Sequence, residues 1–451
     1  MMGKKVLSLA LVLAFVFSLA ACATKSSESN VPSTTSSESS TSITNQAPVE
    51  ISIQWWGDVN RNKKFEGLMR MFEVKNPNIK VQSTYSPFGE YWDKLNIQTA
   101  SGNGPDVFLM TPFEYGKYAS KGIMADLKPY VDDKTIDLSG WDKKVLDMGT
   151  YNNTFVMLNI GMTVSSLIIN RTSIEKLGIT IPTEDMSWSQ MSDFTKQVQS
   201  KLSKNQYAMF DASGIFDFFV VYLLEKGKTI SNMQEDSLGF DATDAEEYMT
   251  WWDNLRKEGT IPPKNIAAEE GAKPVADSML VQKTAMMILT NSNQLPQFQA
   301  VMPDDTLDIL RCPALPTGKS VYGEAFNGVF LAMPTTTKNP KAAATLINWW
   351  ANDIEANKVY NFEHGVLGSS KVTEALISQV GPEVKKVIEI SDKIMKTAPA
   401  MTYRPTAYNA ITTAFSAATD AIGFGKKSIK QASADFIVDA KKELLAAQSK
   451  K

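Results

Sequence analysis

The side chains that carry most nucleophilic and metal chemistry are nearly absent from this chain. Its 451 residues include one histidine, His364, and two cysteines, Cys22 and Cys312. A Ser-His-Asp triad would rest entirely on that one imidazole. A zinc site of four cysteines, or of paired cysteines and histidines, cannot be assembled. Carboxylates are plentiful, and two of them about 5–9.5 Å apart could cleave a glycosidic bond, but the sequence singles out no pair. Aromatic residues are abundant instead, with 9 Trp, 13 Tyr and 21 Phe. Tandem tryptophans occur at Trp55-Trp56, Trp251-Trp252 and Trp349-Trp350. The inventory points to recognition rather than catalysis and implies no metal or cofactor.

Cys22 has a specific setting. Lys4 and Lys5 precede an apolar run over residues 6–17, and Leu19-Ala20-Ala21-Cys22 follows. This resembles a bacterial lipoprotein signal peptide (residues 1–21), whose terminal cysteine is lipidated and begins the mature chain. The positive start, short apolar centre and small residues before the cut fit that grammar, and the run is short for a membrane span. Residues 23–46 are mostly Ser, Thr, Asn and Glu with no aromatic. Such a stretch cannot bury enough apolar surface to offset its ordering entropy. Residues 22–47 therefore read as a lipid anchor and flexible tether. With Cys22 so committed, Cys312 is the body's one cysteine, and one cysteine cannot close an intrachain disulfide.

Roughly 400 residues follow, ample for more than one core. The formal net charge is −3, and about −5 once Lys4 and Lys5 leave with the leader. Nothing suggests the basic stripe of a nucleic-acid binder.

The elements that must position any site begin with strict alternation at Val49-Glu50-Ile51-Ser52-Ile53-Gln54-Trp55, a strand signal. A helix from about Asn62 places Phe65, Leu68, Met69 and Phe72 on one face and ends at Asn76-Pro77. A strand over residues 79–81 completes a β-α-β unit, which implies an α/β sheet. A helix over 91–100 and an apolar strand over 106–110 repeat the pattern. Ser187-Trp188-Ser189-Gln190 reads as a capping box, Asn339-Pro340 as a helix start, and residues 407–450 as helical. No repeat of 20–50 residues suggests a solenoid.

At this point a resemblance emerges. The segments I-S-I-Q-W-W-G from Ile51, F-E-x-x-N-P-x-I-x-V from Phe72, Y-W-x-K-L from Tyr91 and S-G-N-G-P-D-V from Ser101 are similar to those of the family 1 extracellular solute-binding proteins, the carbohydrate-binding subunits of ABC importers. Residues 151–170, 282–293 and 362–372 continue the likeness across the body. Departures occur at Leu158-Asn159, Ile168-Ile169, Gln282-Lys283 and Leu367, so no particular sugar is indicated. The resemblance implies a two-lobed, periplasmic-binding-protein-like (type II) α/β fold with a hinge and an interlobe ligand cleft. The expected lobes are 48–162 plus 325–370 and 163–324 plus 371–451, with crossings near residues 161–163, 322–326 and 369–373.

Sugar recognition needs aromatic faces against C–H patches and Asp, Glu, Asn or Arg groups for paired hydrogen bonds to hydroxyls. Open α/β sheets hold ligands beyond the carboxyl ends of their strands. The candidates are Trp56, Asp58 and Arg61 after the first strand, with Trp55 assigned to the core. Phe113 and Glu114 follow the 106–110 strand, and Phe216 and Asp217 follow Gly214. Asn291 and Asn293 follow a strand over 285–289. Glu324, Asn327, His364 and Arg404 complete the set, Arg404 in the loop Tyr403-Arg404-Pro405.

The leading expectation is an extracellular, monomeric receptor on the outer face of a bacterial membrane, with a Gram-positive surface suggested by the long tether. It would touch the membrane through its anchor only and deliver a sugar or oligosaccharide to the transmembrane subunits and ATPase of an ABC permease. Alternatives are a receptor for an anionic glycan or another solute, one that feeds a sensor kinase, and a lipoprotein glycosidase.

Overall fold

The computed structural model describes residues 48–449 except 184, 233, 271–272, 274, 316–325 and 399–403. The leader, the tether, Cys22, Tyr322, Glu324 and Tyr403 lie outside the described residues.

Nine strands are present among the described residues: β1 (Val49–Trp56), β2 (Ile79–Ser86), β3 (Val107–Met110), β4 (Thr150–Tyr151), β5 (Thr154–Phe155), β6 (Leu158–Asn170), β7 (Met287–Asn291), β8 (Leu307–Arg311) and β9 (Phe326–Ala332). The main sheet runs β2-β1-β3-β9-β6-β7, with β8 also paired to β6; β4 and β5 form a separate hairpin. β2, β1 and β3 are parallel, and β9 returns antiparallel to β3.

β6 is the organising element. All thirteen of its residues are buried, so the strand is covered on both faces although Asn159, Gly161, Thr163, Ser165, Ser166 and Asn170 interrupt its apolar residues. Residues Leu158 to Val164 pair with β9, whereas Ser165 and the residues after it pair with β7 and β8. The strand thus carries the chain from one core to another. The first core includes Trp55, Phe65, Phe72 and Trp350. The second includes Phe219, Tyr248, Phe415 and Phe436, with Phe219 stacked on Phe415 at 5.1 Å. The tandem tryptophans mostly serve these cores; Trp55, Trp252 and Trp350 are fully buried.

Glycine lets a second segment cross beside β6. Met162 and Val366 exchange backbone hydrogen bonds of 2.6 and 2.8 Å. Gly365, at φ +97°, sits so close that a Cβ would lie 1.9 Å from the Met162 carbonyl oxygen.

Several element ends differ from the sequence reading. The first helix is Val59–Lys75, because Asp58 caps it by accepting from the Arg61 amide at 2.8 Å. β2 runs on to Ser86, and the helix after it begins at Phe88. The tail is two helices, Tyr408–Gly423 and Ile429–Gln448. Gly425, left-handed at φ +68°, separates them, and Ser428 caps the second. The Ser187–Gln190 capping box and the Pro340 start stand as read. The helix Ser370–Leu376 still packs on Ile354–Tyr360, whereas Pro382–Met395 packs on β8.

Candidate functional site

The loop after β3 starts the site. The Thr111 carbonyl accepts from the Glu114 and Tyr115 amides, which turns Phe113 and Glu114 out beyond the carboxyl end of the sheet, where α/β folds place ligands. Facing them are Phe216 and Asp217 at the start of the helix Phe216–Glu225, where a carboxylate also suits the helix dipole. The two walls enclose a cavity of about 470 Å³, within the ~300–1,000 Å³ usual for small-molecule sites. Phe88, Trp92, Phe113, Phe216 and Tyr408 supply aromatic surface, and Glu114, Asp217, Asn409, Thr111, Thr412 and Thr413 supply polar groups.

Arg404 ties this region together. Its guanidinium carbon lies 4.0 Å from the Phe113 ring centroid and 4.7 Å from that of Tyr408, a cation–π sandwich. Nη2 donates to Asn327 Oδ1 and lies 3.2 Å from Asp217 Oδ1. The Tyr408 hydroxyl donates to the same Asp217 oxygen at 2.7 Å. Asn327 Nδ2 in turn donates to Asn291 Oδ1 at 3.4 Å. Asn327 pairs with Thr163 and Asn291 with Ser165, so both asparagines flank the point where β6 changes partners. Arg404 is 2% exposed, and its Nε and Nη1 find no acceptor among the described residues.

Asn409 Nδ2 donates to Glu114 Oε1 at 2.5 Å. Burial raises the Glu114 carboxyl above its ordinary range, opposed by the Lys117 charge and the Asn409 bond. Burial likewise pushes the Tyr408 phenol well up, partly offset by Arg404.

Thus Phe113, Glu114, Phe216, Asp217, Asn291, Asn327 and Arg404, drawn from five separate segments, come together. The group at the end of β1 does not join them. Trp56 is buried behind Phe88 and Trp92, with ring centroids 5.5 and 5.6 Å away. Asp58 is a helix cap. Arg61 and Lys64 pair with Glu363, Arg61 at 3.1 Å, so the arginine side chain is spent away from the cavity and away from Asp58. His364 is a buried structural residue: Nδ1 bonds the Tyr360 hydroxyl at 2.6 Å and the ring packs beside Trp56 and Phe65. Burial, then Arg61 and Lys64, hold its pKa well below the ordinary value. Asn291 is the last residue of β7 rather than a loop residue after it, and Asn293 precedes the helix Gln294–Ala300 without capping it by a side-chain bond. Sequence reasoning missed Phe88, Trp92, Tyr408 and Asn409. Trp92, Tyr408 and Asn409 lie in stretches that read as helix, and Phe88 precedes the helix read from residue 91.

A sheet shared by two cores through one long strand, with an aromatic and polar cavity between them, defines a two-lobed solute-binding architecture. The chain belongs to the family described as bacterial extracellular solute-binding protein, whose model matches residues 58–356. The galactooligosaccharide-binding protein of Bacillus subtilis (strain 168) is 22% identical over 365 residues, covering 80% of this chain and 79% of that one. Among solved structures, a periplasmic oligogalacturonide-binding protein of Yersinia enterocolitica, in complex with saturated digalacturonic acid, superposes with a TM-score of 0.77 at 19% identity. It covers 89% of this chain and 100% of that one. An ABC substrate-binding protein of Listeria monocytogenes in complex with cycloalternan gives a TM-score of 0.74 at 19% identity, covering 88% and 98%. Among the described residues, no helix is long and apolar enough to cross a membrane.

Proposed function

We propose that this protein is the extracellular receptor of an ABC importer and captures an oligosaccharide between its lobes. The carrying observation is the cavity, where aromatic surface from Trp92, Phe216 and Tyr408 faces the hydrogen-bonding groups of Glu114, Asp217 and Asn409. That combination suits a ligand with apolar C–H faces and vicinal hydroxyls. The ionisable groups lining the cavity are both acidic, which favours a neutral sugar. The family and the oligosaccharides named for its relatives support an oligosaccharide ligand.

A second reading, an acidic glycan, is favoured by Arg404, whose Nε and Nη1 find no acceptor among the described residues, since a guanidinium edge matches a carboxylate. Thermal unfolding against neutral oligosaccharides and uronate oligomers separates the two. A ligand at 100 times its Kd adds about 2.7 kcal/mol of stability. A shift with neutral sugars alone supports the main reading and one with uronates alone the second. No shift with either overturns both.

Cys22 is proposed as the lipidated residue, with residues 22–47 holding the body at the outer face of the cytoplasmic membrane of a Gram-positive cell. The body would work as a monomer beside the transmembrane subunits and ATPase of its permease. Replacing Cys22 with Ser should move the protein from the membrane fraction to the medium; retention at the membrane would remove the anchor assignment.

A further inference from the structure

The interlobe cavity has a neighbour. Phe113, Glu114 and Asn409 line it and also line a second cavity of about 390 Å³. The second is walled on one side by Lys117, Ser120 and Lys121, which follow the β3 loop, and on the other by residues of the two C-terminal helices, among them Glu443 and Ala447. The shared residues form a partition, and its centre is the hydrogen bond from Asn409 to Glu114. Each chamber is by itself of small-molecule size.

The partition is built from groups that bind hydroxyls. A carboxylate offers about four lone-pair positions. Asn409 takes one on Oε1, and Lys117 lies 3.9 Å from Oε2. Asn409 is itself exposed, so its amide can turn toward a ligand without crossing packed side chains. The two chambers differ in character. One is rich in aromatic rings. The other combines lysines, Glu443, Ser120 and small alanines, which suits a solvated polar unit rather than a stacked one.

We propose that the ligand is an oligomer that occupies both chambers, with one part stacked in the aromatic chamber, the next lying across the Glu114–Asn409 bridge, and its continuation held between the Lys117–Lys121 segment and the C-terminal helix. This rests on the sugar-receptor reading and adds a length requirement to it. Glu114 and Asn409 become contacts of the inter-unit region, and the second chamber becomes a length-reading subsite.

The test is calorimetric titration of the unmodified chain and of Ala447→Trp with galactose oligomers and galacturonic acid oligomers of one to four units. The indole should fill the second chamber from the C-terminal helix and leave the aromatic chamber untouched. Affinity of the unmodified chain should climb at least about tenfold with length, a gain of about 1.4 kcal/mol. Ala447→Trp should abolish that climb while holding the shortest bound sugar within about twofold, or roughly 0.4 kcal/mol. Ser120→Trp fills the same chamber from the opposite wall and carries the same expectation. Retained binding of the shortest sugar shows that either variant is folded. A length dependence that survives both tryptophans, or one that is flat in the unmodified chain, overturns the proposal while leaving the receptor reading intact. If the unmodified chain binds none of these sugars, the receptor reading itself fails for them, and the length proposal falls with it.

Discussion

At the scale of single residues, two buried cationic or titratable groups invite measurement. Arg404 holds Asp217 and Asn327 while lying between two rings. Removing it as Arg404→Met would leave Asp217 with the Tyr408 hydroxyl as its remaining neutral partner. Stability should fall by on the order of 2–3 kcal/mol, less than the ~3–5 kcal/mol of a wholly buried pair, because the Asp217 side chain retains 24% exposure. Adding Asp217→Asn should restore part of the loss, and urea unfolding of the cycle checks it. His364 tests pH. Above about pH 6.5 the imidazole is neutral in both folded and unfolded chains. Below it, the unfolded chain takes up a proton that the folded one refuses, so stability falls with acid until the depressed folded pKa is reached, at up to about 1.4 kcal/mol per pH unit. His364→Phe should lose that component of the slope. Because the chain has one histidine, its single imidazole NMR signal should titrate well below the ordinary histidine range; an ordinary titration would contradict the burial.

At the scale of elements, the junction beside β6 is the most exacting feature. Gly365→Ala would place a methyl against the Met162 carbonyl and force an L-residue to φ +97°. Strain of this kind costs about 1–3 kcal/mol, and here the clash adds to it, so the urea midpoint should drop clearly. An unchanged midpoint would mean the crossing segment simply moves aside. This element was only partly legible in the sequence. The alternation of β1, the apolar face of the first helix, the Ser187 box and the Pro340 start are local signals, set by period and capping chemistry, and they read correctly. β6 is not local. Its mixture of apolar and small polar residues acquires meaning only when β9, β7 and β8 arrive from more than a hundred residues away. The site shows the same division. Phe113 and Asn327 could be nominated by type and by their places near strand ends, and Asp217 and Arg404 by type and by their loop settings. Trp92 and Tyr408 could not, because a helix face looks the same whether it meets a core or a cleft. His364 failed for the opposite reason: nothing in Glu363-His364-Gly365 signals that Trp56, Phe65 and Tyr360 close over the ring.

At the scale of the molecule, the two cores meet through contacts weak enough to be adjustable. Phe113 belongs to the β3 loop, and Arg404 and Tyr408 to the segment entering the C-terminal helices. The stack of Arg404 on Phe113 is worth about 1–2 kcal/mol in a desolvated setting. A change of that size alters a two-state population by a factor of about 5–30. A receptor that closes on its ligand works through such margins, since the ligand shifts the open–closed balance only by its differential affinity for the two states. Phe113→Ala should therefore loosen the junction. In small-angle X-ray scattering, the ligand-free variant should show a larger radius of gyration than the unmodified body, for which a compact chain of about 400 residues would give roughly 21 Å. A saturating oligosaccharide, by bridging both walls of the cavity, should bring the variant back toward the unmodified value, at a weaker apparent affinity because part of the binding energy is spent on closure. Equal radii for variant and unmodified body, with and without sugar, would show that the lobes form a rigid pair and that capture does not proceed by hinge closure.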